Sequence, residues 1–118
     1  MKIETIKNQT SFNAKINQKF INDAERYYLG RKLVFQYDSF KKKLEKFEMY
    51  GEENTEILHH SLQNKDGSVT HMLCLKNELI NKKQAVIMYT ANKYNEILRF
   101  FNNINENKIL ECEENLAK

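Results

Sequence analysis

Residues 20–50 read FINDAERYYLGRKLVFQYDSFKKKLEKFEMY, and the period of this stretch decides the fold. Leu29, Leu33, Tyr37, Phe40, Leu44 and Phe47 recur at steps of three and four, which sets them on one stripe of an α-helix. Phe20, Ala24 and Tyr27 form an earlier stripe, and the two drift apart near Gly30. A glycine costs a helix interior about 1 kcal/mol relative to alanine, so the expectation is one long helix bent there. It starts at Asn17 or Asn22, with Asp23 and Glu25 in an acidic first turn, and Gly51 caps its end.

Such a stripe needs a surface to lie on, and the next segment supplies one. Residues 56–63 and 68–75 are two strand-like runs around Asn64-Lys65-Asp66-Gly67. That sequence suits a type I turn whose last residue is left-handed, giving a bulged hairpin. The geometry pairs Ser61 with His71 and His59 with Leu73. One face then carries Leu58, His60, Leu62, Thr70, Met72 and Cys74; the other carries Ile57, His59, Val69, His71, Leu73 and Leu75. Residues 84–90 are apolar in nearly every position and read as a third, central strand. Residues 11–16 alternate and read as a short edge strand. Residues 91–104 return to helical period, with Tyr94, Ile97, Leu98, Phe101 and Ile104 on one face and Thr90 or Asn92 as cap.

The expected fold is therefore α+β: a long N-terminal helix packed on a small antiparallel sheet of three or four strands, followed by a C-terminal helix. Residues 1–118 make a single domain, with 1–10 and 111–118 as flexible ends. Hydrophobic residues at 41% and charged residues at 30% suit a folded chain. No proline and three glycines imply long elements and short turns. The abundance of Asn, Lys and Ile fits an AT-rich coding sequence and points to a bacterial or phage protein. No run is apolar and long enough for a signal peptide or membrane span, and Cys74 and Cys112 lack metal-type spacing. A cytoplasmic protein with reduced thiols is expected.

The net charge of +3 is uneven. Residues 1–50 hold eleven basic and six acidic side chains; residues 51–118 hold eight and ten. Arg31, Lys32, Lys41, Lys42, Lys43 and Lys46 form a candidate basic ridge for nucleic acid, although Asp38, Glu45 and Glu48 interrupt it. All three histidines fall in the hairpin, and the register brings His59 and His71 to one face as a candidate polar site. A third ligand for zinc is not evident there, and no nucleophile motif, phosphate loop or opposed carboxylate pair occurs. No catalytic residue, metal or cofactor is assigned.

The expected function is a small non-enzymatic protein-interaction module, possible roles including a bacterial or phage regulator or inhibitor. Its contact candidates are Tyr37, Phe40, Leu44 and Phe47 on the helix stripe, together with the second sheet face. Nucleic-acid binding through the basic ridge is the alternative. A helix of thirty residues spans about 45 Å, against about 20 Å for the strands. That surplus apolar length predicts a homodimer.

Overall fold

A computed structural model of the chain describes residues 16–47, 49–50 and 54–118. The architecture is α+β, in the order α1 (Gln18–Gly30), α2 (Val34–Phe47), β1 (Glu56–Gln63), β2 (Val69–Lys76), β3 (Val86–Ala91), α3 (Tyr94–Asn103) and α4 (Glu106–Ala117). No described helix is long and apolar enough to cross a membrane.

The expected long helix is two helices. Asn17 starts α1, its side chain accepting from the backbone N–H of Lys19 (3.0 Å) and Phe20 (3.3 Å). At the other end the Tyr28 carbonyl accepts from both Arg31 (3.2 Å) and Leu33 (2.8 Å), and Lys32 sits in the left-handed region at φ 59°. The break has a packing reason. The offset stripes of a continuous rod would face different directions. Folding at residues 31–33 turns Phe20, Ala24 and Tyr28 of α1 and Phe40 and Phe47 of α2 into one core. The surplus helix length that predicted a dimer goes with the break. Gly51 lies outside the described residues.

The hairpin follows the sequence closely. Ser61 pairs with His71 and His59 with Leu73. Gly67 takes φ +88°, its N–H donates to the Asn64 carbonyl at 3.0 Å, and the Asn64 N–H donates to the Ser68 carbonyl at 2.8 Å. Asp66 fixes the corner by accepting from the Ser68 N–H (2.9 Å) and hydroxyl (2.6 Å). The strand order is β1-β2-β3, so among the described residues β3 is an edge strand, not the central one expected. Its pairing shifts between Leu73–Tyr89 and Cys74–Ile87, and the bulge leaves Met88 as the extra residue. A bulge breaks strict alternation, which is why the run reads as apolar throughout. Of the expected first strand, Ile16 forms a parallel bridge to Ile57; residues 11–15 are outside the described set.

Four phenylalanines centre the core. The Phe101 ring lies 4.8 Å from Phe47, 5.3 Å from Phe40 and 5.3 Å from Phe20, centroid to centroid. Ile57, Leu73 and Leu75 join them from one face of the sheet. On the opposite face Leu62 and Ile87 remain 56% exposed.

The expected flexible end at 111–118 is instead the body of α4. Asn105 caps it by accepting from the Lys108 N–H at 3.0 Å, and Ile109, Cys112 and Leu116 are buried along one stripe. Glu113 is buried beside them, where the Thr55 hydroxyl donates to its carboxylate and the Asn77 amide donates to the Thr55 oxygen at 3.1 Å. Residues 1–10, the other expected flexible end, are outside the described residues.

Candidate functional site

The hairpin register brings His59 and His71 together, as the alternation of the two strands requires. His59 Nε2 lies 3.0 Å from His71 Nδ1, and the rings stack at 5.2 Å. Tyr94, the first residue of α3, closes the cluster at 5.1 Å from His59 and 5.9 Å from His71. Phe20 backs it at 6.2 Å from His59.

At that nitrogen separation one ring donates and the other accepts, so one proton is shared and a second has no place. Burial, then the neighbouring His71, pushes His59 down to about 4. Such an imidazole is neutral at pH 7 and a weak base. Burial, reinforced by the nearby Asp23 carboxylate, pushes the Tyr94 hydroxyl above its ordinary range. Its oxygen is buried with no hydrogen-bond partner among the described residues. No three His, Cys, Asp or Glu side chains among those residues gather as a metal-binding set. The cluster has the chemistry of a packed polar-aromatic seam.

Beside it lies a groove of about 450 Å³, within the size range of small-ligand sites. The end of α1 supplies Tyr27 and Tyr28, the turn supplies Leu33, and α2 supplies Gln36 and Ser39. The far wall is one stripe of α3: Asn95, Leu98, Arg99, Asn102 and Asn103, spaced as helical neighbours three, four and seven apart. Asn102 donates through its amide nitrogen to the Tyr28 hydroxyl at 3.1 Å, while its Oδ1 is buried without a partner among the described residues. Burial raises the Tyr28 hydroxyl above its ordinary range, against the lowering effect of Asn102. Among the described residues, no carboxylate, histidine or cysteine lines the groove.

The expected contact stripe is divided by the fold. Phe40 and Phe47 are 0% and 1% exposed, inside the core, so neither presents a surface; Tyr37 and Leu44 are half-buried against it. The physical reason is the helix break, which turns that stripe inward.

The basic ridge is divided too. Lys43 reaches across to the carbonyl of Ile104, just past α3, at 2.9 Å; burial, then the adjacent Lys46, lowers its ammonium from the ordinary range. Arg31 lies 4.0 Å over the Tyr27 ring. Lys41 pairs with Asp38 at 3.7 Å, and Lys32, Lys42 and Lys46 are exposed.

Asn95, Arg99, Asn102 and Asn103 are absent from the residues picked out by sequence. Their signal was the polar complement of the α3 apolar stripe, which by itself reads as a solvated face. Cys74 and Cys112 are buried free thiols, both pushed up by burial. No protein family, curated protein or solved structure matches the chain.

Proposed function

We propose that this chain is a non-enzymatic protein-interaction module that receives a peptide segment of its partner in the groove between α2 and α3. The observation that carries this is the lining. Tyr27 and Leu33 offer apolar contact over the buried Tyr28 and Leu98, and the side chains of Gln36 and Asn95 offer amide donors and acceptors. Side-chain amides match the alternating N–H and C=O groups of a peptide backbone. The His59–His71 pair is closed on itself by its own hydrogen bond, and burial holds His59 neutral. A regulator or inhibitor acting by binding is in keeping with such a site.

The test is a random peptide library displayed against the folded protein. Selected peptides are expected to lose binding to Asn95→Leu and keep it against Leu62→Asp, on the open sheet face. Peptides insensitive to groove variants would refute this site.

Two further readings have specific support. The exposed Arg31, Lys32, Lys42 and Lys46 favour nucleic-acid contact as the second reading. A salt-dependent shift of labelled DNA, abolished in Lys42→Ala/Lys46→Ala, is its signature. A homodimer now rests on the open sheet face with Leu62 and Ile87, and a solution mass near twice 14.1 kDa tests it.

A further inference from the structure

We propose that the α1–α2 turn is a membrane-contact tip: Leu29, Val34 and Phe35 enter the interfacial layer of an anionic lipid surface while Arg31 and Lys32 meet its headgroups. The proposal goes beyond the peptide groove and does not depend on it. The turn sends its apolar side chains in two directions. Tyr28 is buried and Leu33 packs inward on the core, whereas Leu29, Val34 and Phe35 are 46%, 54% and 85% exposed. Phe35 is the most exposed large apolar side chain among the described residues. All three lie within seven residues, where the end of α1 meets the start of α2. The backbone holds them out: the Tyr28 carbonyl accepts from Arg31 and Leu33, and the Leu29 carbonyl accepts from Lys32 at 3.1 Å.

The charge of the tip selects what covers it. Between Glu25 and Asp38 the chain has no carboxylate. Arg26 is taken up by Asp23, but Arg31 and Lys32 are exposed and have no ion pair among the described residues. Arg31 lies over the Tyr27 ring and donates to the Tyr27 carbonyl at 3.3 Å, contacts that position its charge without cancelling it. Nucleic acid would neutralise the two cations and give Leu29 and Val34 no apolar medium. A protein would need an acidic rim around a pocket shaped to a projecting phenylalanine. An anionic bilayer has negative charge at its surface and apolar matter just beneath, and it takes a protruding tip without shape matching. Such contact needs no spanning helix.

The chain has no tryptophan, so Phe35→Trp sets a single fluorescent reporter at the tip of the full-length protein. Leu110→Trp sets one at a leucine that is 44% exposed on α4, on a helix that also carries Glu106, Glu111 and Glu114. The probes are vesicles of phosphatidylcholine alone and vesicles with about 40% phosphatidylserine, at low salt. Emission of Phe35→Trp should move to shorter wavelength on the anionic vesicles and be quenched by lipids brominated on their acyl chains. Leu110→Trp should not respond. Each cation near such a surface is worth about fivefold in binding, so wild type should co-sediment at least about tenfold more tightly with the anionic vesicles. Phe35→Ser, an exposed change that leaves the core intact, should weaken that binding at least about tenfold. Arg31→Glu/Lys32→Glu should remove the preference for anionic lipid.

Binding that survives Phe35→Ser overturns the tip and leaves electrostatic adsorption elsewhere on the chain. An absent response at position 35, or an equal one at position 110, overturns it as well. A Phe35→Trp shift that grows with protein concentration without vesicles assigns the tip to a second copy, and a shift produced by a DNA oligonucleotide alone assigns it to nucleic acid. The groove reading stands or falls separately, because none of these variants alters Gln36 or Asn95.

Discussion

Acidifying the protein from pH 7 to pH 5 should destabilise it through His59, and the size of the effect follows from the seam it occupies. Well above pH 6.5 this imidazole is neutral in the folded and unfolded chain alike, and it contributes no pH dependence. As the pH falls below 6.5, the unfolded chain takes up a proton that the folded chain, with His59 at about 4, does not accept. Stability therefore falls with pH through this window, and the loss is complete below about 4. Taken in full, the displacement between pH 7 and pH 5 is worth about 2 kcal/mol. Water reaches part of the ring and screens it, so about 1 kcal/mol is the working figure.

Five groups set the local field: His71 on β2, Asp23 and Lys19 on α1, Tyr94 on α3, and His60 beside it on β1. The assay is urea unfolding at both pH values for wild type and His59→Phe, with His60→Gln as the control on the opposite face. Phe keeps the ring contacts with Phe20 and Tyr94 and cannot titrate. Wild type should lose about 0.5 M more in its midpoint than His59→Phe does, for a urea slope of about 2 kcal/mol per M. Profiles parallel to within about 0.3 kcal/mol would refute the argument. So would a proton-NMR titration placing the His59 midpoint above 6.

Three other substitutions test the framework. Phe101→Ala removes the ring that touches Phe20, Phe40 and Phe47, and should cost about 3–5 kcal/mol, read as a large fall in denaturation midpoint. Thr55→Val takes a hydrogen-bond donor from buried Glu113 and an acceptor from Asn77; a loss of about 1–3 kcal/mol in urea unfolding is expected, and an unchanged midpoint would count against the network. Lys32→Gly relieves a left-handed backbone at φ 59°, and a thermal melt should show a gain of about 0.5–1 kcal/mol once glycine's extra unfolded-state entropy is subtracted.

What the chain reveals in advance depends on how local the cause is. The 59–71 register was legible because a Gly at the left-handed position and two alternating strands set it within about twenty residues. The His59–His71 approach followed from that register alone. The break between α1 and α2 was not legible in the same way: its pivot is Lys32, whose residue type carries no turn preference, while Gly30, the residue that drew suspicion, stays helical. The α4 stripe of Ile109, Cys112 and Leu116 was hidden behind the Glu111–Glu114 charge run. That helix can bury Glu113 because Thr55 donates to it from 58 positions away. The groove is the extreme case. Asn95, Arg99 and Asn102 form an ordinary polar face on α3 until α2 folds back opposite them. They line a groove only because the α1–α2 turn exists. A variant that straightened that turn would therefore remove the groove without touching one of its α3 residues, which makes the turn at residues 31–33 the point where fold and proposed function depend on the same backbone conformation.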